Sequence, residues 1–127
     1  MDRIPILRMG DYLLVTIQVD MHDQLAMTLQ DDLTTAVQRT GAKGVLIDIT
    51  GVPTVDTLVA QHLLKTVTAI RLMGADCIIS GIRPQIAQTI VHLGIDLEGI
   101  TTKATLADAL ALAFKRSGLS VTRAKTA

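Results

Sequence analysis

The stretch Val45 to Ile49 constrains this chain more than any other. An apolar run of that length, broken within a few residues by Gly51 and Pro53, reads as a buried strand. A helical pattern begins just after Asp56, so Thr57 falls where a strand-to-helix loop ends. Backbone N–H groups are unpaired at such a point, and the helix dipole favours negative charge there. A phosphate on the Thr57 hydroxyl would meet those donors but would also stand beside the Asp56 carboxylate. The position therefore reads as a switch rather than as a catalytic residue.

The flanking sequence extends the strand-and-helix alternation in both directions. Ile4 to Leu7 is a short apolar segment whose Pro5 suits an edge strand. Gly10-Asp11 turns the chain into a second strand, Tyr12 to Val19, where Leu13, Val15, Ile17 and Val19 alternate with Leu14, Thr16 and Gln18. The two are expected to pair as an antiparallel hairpin. Leu25, Leu29, Leu33, Ala36 and Val37 have helical spacing, and Gly41 supplies the stop. After the strand at Val45, a helix is expected from Thr57 to Met73 with Val59, Leu63, Val67 and Ile70 inward. Cys77 to Ser80 is the next buried strand. Pro84 sits well at the first position of a third helix carrying Ile86, Ile90 and Leu93. A brief strand near Ile100 to Thr102 precedes a last helix opened by Thr105-x-x-Asp108, which resembles a capping box, and built on Leu106, Leu110, Ala113 and Phe114. The order β-β-α-β-α-β-α-β-α implies an α/β fold, its mixed sheet mostly parallel with an antiparallel amino-terminal edge hairpin and about four helices. Residues 1–118 are expected to form a single domain, with Leu119 to Ala127 as a flexible tail.

Composition closes several functional classes. Twelve basic residues balance twelve acidic ones, so charge gives no reason to expect nucleic acid or an anionic membrane as partner. Tyr12 and Phe114 are the only aromatic residues, too few to build a base-stacking platform. No apolar stretch nears the ~20 residues of a membrane span, and the start lacks a signal-peptide pattern, so a cytoplasmic location is expected. His22, His62 and His92 never fall at ligand spacing, and Cys77 lies alone in an apolar strand; no metal or other cofactor is expected. Asp48 and Asp56 flank the first loop, but the acidic pair and later lysine of an aspartate phosphoacceptor site are missing. Asp56 reads as a helix cap instead. Without a phosphate loop, nucleophile elbow or catalytic constellation, the chain is not expected to be an enzyme.

Hydroxyls remain. Thr57 has the strongest setting, and Thr89, within the third helix, and Ser80, at a strand end, are weaker candidates for phosphorylation. The loop residues Val52, Pro53, Thr54, Val55 and Asp56, with Leu58 and Val59 behind Thr57, form the candidate partner-binding surface.

From residue 3 to about residue 115 the chain resembles the STAS domain family. The resemblance is carried by Val45-Leu46-Ile47-Asp48-Ile49-Thr50, Val55-Asp56-Thr57, Leu72-Met73-Gly74-Ala75, Ser80-Gly81-Ile82-Arg83-Pro84 and Leu93-Gly94-Ile95. Within that family it is most similar to stressosome components. Ile4-Pro5-Ile6-Leu7 and Leu14-Val15-Thr16-Ile17-Gln18 resemble the RsbS type, whereas Thr50-Gly51-Val52-Pro53 and Ile82 to Thr89 resemble the carboxy-terminal halves of the RsbR type. This resemblance implies a scaffold that self-associates into a large assembly with RsbR-type STAS proteins. Such a scaffold sequesters a serine/threonine switch kinase of the RsbT type, and phosphorylation after the loop Asp, here at Thr57, releases the kinase into a bacterial general stress response. Two alternatives stay open: an anti-sigma-factor antagonist controlled by phosphorylation, and a small-ligand module for a nucleotide or lipid.

Overall fold

The computed structural model describes residues 4–18, 21–94 and 99–118. Five strands and four helices follow one another as β1 (Leu7–Met9), β2 (Tyr12–Thr16), α1 (Asp23–Thr40), β3 (Gly44–Asp48), α2 (Thr57–Leu72), β4 (Asp76–Ser80), α3 (Pro84–His92), β5 (Thr101–Lys103) and α4 (Leu106–Arg116). The sheet runs β1-β2-β3-β4-β5, antiparallel between β1 and β2 and parallel thereafter. The element order is the expected one.

The bounds of the first hairpin differ from the expectation. Leu7 pairs with Leu14 and Met9 with Tyr12 around the Gly10-Asp11 turn, so β1 begins at Leu7 and leaves Ile4, Pro5 and Ile6 outside it. Pro5 has no N–H for a ladder, while Ile4 ahead of it is buried in the core. β2 ends at Thr16; Ile17 still donates from its amide to the Asp48 carbonyl at 2.9 Å. Val19, Ile95 and the segment Leu119 to Ala127 lie outside the described residues.

Alternation along each strand divides the interior in two. Leu13, Val15, Val45, Ile47, Cys77 and Ile79 face α1, α2 and α3, where Leu25, Leu29, Leu33, Val67, Ile70, Ile86 and Ile90 complete the main core. Tyr12, Leu46 and Ile78 face the opposite way, against Ala109 and Ala113 of α4. β3 is buried along its whole length, which is why its sequence lacks a polar alternation. Each fully buried Leu or Ile contributes roughly 1.5–3 kcal/mol relative to exposure. On α4 the small residues sit closest to the sheet, and Leu112 rather than Phe114 joins their cluster.

Candidate functional site

Parallel strands deliver their loops to one edge, the usual place for recognition in open α/β sheets. Here the β3–α2 and β4–α3 loops lie side by side because β3 and β4 are neighbours in register, with Asp48 opposite Ser80. α2 starts where expected. Asp56 is its N-cap, in extended conformation, and its Oδ1 accepts from the Val59 amide at 2.8 Å. Thr57 is the first helical residue and is exposed.

Two surface grooves meet beside it. One, of about 460 Å³, is lined by Thr57, Gln85, Gln88, Thr89, His92 and Leu93. The other, of about 370 Å³, is lined by Pro53, Thr54, Val55, Arg83, Gln85, Ile86 and Thr89. Gln85 and Thr89 border both, so the helix α3 joins the surroundings of Thr57 to those of the loop. The Thr89 hydroxyl donates to the Gln85 carbonyl one turn back at 3.0 Å.

Several sequence expectations are corrected by burial. Ser80 is 0 % exposed, and its hydroxyl donates to Asp48 Oδ1 at 2.7 Å, so it is no accessible hydroxyl. Val52 and Val59, expected on the partner surface, are 1 % and 5 % exposed and pack into the main core. Val52 turns inward because its amide donates to the Ile49 carbonyl and closes a tight turn after β3. Val55 is half-buried against the same core. Pro53, Thr54, Asp56 and Leu58 remain outward, Leu58 with 49 % of its surface exposed.

Other features lie beyond the sequence expectations. Asp48 gathers two hydroxyls, since Thr50 also donates to its Oδ1 at 2.8 Å. Arg83 reaches back over the neighbouring loop, its Nη2 donating to the Val52 carbonyl and, at 2.9 Å, to the Pro53 carbonyl. Gly81 closes the space between them: its φ is +81°, and a Cβ there would stand 2.7 Å from the Thr50 amide nitrogen. Two of the histidines are structural. His22 caps α1 through its Nδ1, and His62 of α2 pairs with Asp23 of α1. Burial pushes the Cys77 thiol up to about 12, which suits a packing residue rather than a nucleophile.

Among the described residues, no His, Cys, Asp and Glu cluster could hold a metal, and no helix is long and apolar enough to cross a membrane. The apolar crevice between α2 and α3, lined by Leu63, Leu64, Val67 and Ile90 among others, has about 10 Å³ of space, less than a lipid chain needs.

Residues 3–109 match the STAS domain family, and the chain belongs to it. It is 53% identical over 81 residues to the RsbT co-antagonist protein RsbRA of Bacillus subtilis, covering 64% of this chain and 30% of the relative. With the co-antagonist RsbRB of the same organism it shares 42% identity over 91 residues, 72% of this chain and 33% of that protein. The chain thus spans about a third of the length of these curated relatives. A serine-to-glutamate variant of RsbS from Moorella thermoacetica superposes with a TM-score of 0.80 at 29% identity, covering 93% of this chain and all of that one. A chain in the structure of the stressosome, described as a signal integration and transduction hub, superposes with a TM-score of 0.77 at 30% identity, covering 89% and 98%.

Proposed function

Starting from membership of the STAS family, we propose that this chain is a non-enzymatic stressosome scaffold. It sequesters a serine/threonine switch kinase of the RsbT type and releases it on phosphorylation at Thr57. Residues 1–118 act as one domain that self-associates with RsbR-type STAS proteins. The observation that carries the reading is the placement of Thr57: an exposed hydroxyl on the first turn of α2, beside a capping carboxylate and bordering an open groove. Relatives named as co-antagonists of RsbT support the choice of kinase.

The chemistry follows from charge. Asp56 and Leu58 flank a neutral hydroxyl when Thr57 is unmodified, and Pro53 and Thr54 are exposed earlier in the same loop. Phosphate adds about −1.5 to −2 charges at pH 7, next to the Asp56 carboxylate. A partner that covers this surface must then desolvate two neighbouring anions, a cost that falls on the bound state and shifts the equilibrium towards the free kinase. Thr57→Asp is expected to weaken binding of the RsbT-type kinase at least about tenfold, or about 1.4 kcal/mol. Thr57→Ala is expected to keep binding and to hold the kinase captive. Titration of both variants by calorimetry checks this, and equal affinities would refute it.

A further inference from the structure

We infer that Arg83 is a positioning residue that couples the two loops: it pins the β3–α2 loop, and a phosphate on Thr89 draws its guanidinium off and frees that loop. The inference rests on the switch reading of this surface and adds a means of regulating it.

The geometry supplies both halves. Arg83 bridges elements thirty residues apart by donating to the Val52 and Pro53 carbonyls, the only hydrogen bonds seen between its side chain and the neighbouring loop among the described residues. These two carbonyls sit between the buried Val52 and the exposed Thr54, where the loop leaves the core. Arg83 also lines the same groove as Thr89, and among the described residues it is the only Lys, Arg, Asp or Glu in that lining. Thr57 borders the adjacent groove, which Arg83 does not line. The phosphate best placed to meet this guanidinium is therefore on Thr89, six residues along α3.

Competition favours the exchange. A guanidinium presents a planar fork of five donors that fits a phosphate bidentately. Its bonds to a dianion are about twice as strong as those to neutral carbonyls. The phosphoryl group comes from ATP through a kinase. The bond from Thr89 Oγ1 to phosphorus forms, the bond to ADP breaks, and the hydroxyl proton passes to the kinase base. That proton is the one now donated to Gln85, so the local helix bond is lost at the same step. Once Arg83 turns to the phosphate, the Val52 and Pro53 carbonyls return to water. The loop before Thr57 then loses its tie to β4–α3, while the Asp56 cap and the buried Val52 keep α2 in place.

The test is hydrogen exchange on the full chain, with no kinase or assembly partner present. Thr89→Ser is prepared with and without genetically encoded phosphate on that serine, each with Arg83 and with Arg83→Gln. Phosphate is expected to raise exchange in the peptide spanning residues 50–58 by about tenfold, on the order expected from two lost hydrogen bonds. Arg83→Gln alone should raise it similarly, and the two together should do no more than either. Arg83→Lys, which keeps the charge without the fork, should respond to phosphate with a smaller rise. Unchanged protection on phosphorylation overturns the inference, and so do effects that multiply. The phosphate comparison leaves Arg83 intact, so an Arg83→Gln chain that failed to fold would not spoil it. Failure of the Thr57 switch would show in kinase titration and leave this exchange pattern readable.

Discussion

At the amino ends of the parallel strands, backbone bonds to backbone are supplemented by a long bond of 3.4 Å from the Tyr12 hydroxyl to Asp76 and by an ion pair between Lys43 and Asp11. The Lys43 amide donates to the Asp11 carbonyl at 2.7 Å, the Asp76 amide to the Lys43 carbonyl at 2.8 Å, and the Tyr12 ring lies over Gly44. At the carboxyl ends the ladder continues only as far as Ile17, Ile49 and Gly81, and the loops beyond are tied by side chains. Asp48 collects Ser80 and Thr50, and Arg83 spans to Val52 and Pro53. A backbone bond buried in a sheet has no competitor. A side-chain clamp can be drawn away by a stronger charge nearby. The difference fits the proposed switch, which sits at the edge whose ties can be exchanged.

The largest test strikes the rigid end. Gly44 is buried, and a Cβ there would stand 2.5 Å from Tyr12 Cζ, in an aromatic ring that is itself buried against α4. Gly44→Val forces the ring out of that cluster and should lower stability by about 2–3 kcal/mol. The loss should appear as an earlier urea midpoint, with the protection of residues 50–58 falling only as far as the whole domain does. Selective loosening of that loop would mean that the two ends are not independent.

Removing the carboxylate at the other edge should cost somewhat less. Asp48→Ala leaves the buried Ser80 hydroxyl without its acceptor and unties Thr50, for about 2 kcal/mol. Here the expected pattern is reversed: exchange in residues 49–58 should rise more than the global change accounts for. A uniform loss across the sheet, measured in the same experiment, would count against side-chain tying as the feature that sets this edge apart.

Periodicity made the element order readable, because each helix and strand announces itself within a dozen residues. Asp56 and Thr105 were readable as caps for the same reason: a cap is a local event, and both side chains accept the expected amide. Misplacements arose where tertiary packing decides. Ile4 lies in an apolar run but serves the core from outside the hairpin, and Val52 and Val59 turn inward although they flank an exposed threonine. Ser80 reads as a strand-end hydroxyl, yet its burial depends on Asp48, thirty-two residues earlier. The polar Asp48 interrupting an apolar strand was the one signal that could have exposed this pairing. The Arg83 clamp had no signal at all, since it exists only once two parallel strands bring their loops together.

The smallest effect separates two roles that Asp56 combines. Its carboxylate caps α2 at the Val59 amide and stands beside the candidate phosphoacceptor. Asp56→Ala removes the cap and should cost about 1 kcal/mol in thermal or urea unfolding. Asp56→Asn retains a good capping oxygen and discards the charge, so stability should change by only a few tenths of a kcal/mol. If repulsion between Asp56 and a phosphate drives release, the Asn variant phosphorylated at Thr57 should hold its kinase more tightly than the phosphorylated parent. If the two phosphorylated forms bind alike, release comes from phosphate obstructing the surface rather than from charge meeting charge. The side-chain-tied edge would then switch by shape, and the contrast between the two ends would rest on how each is tied.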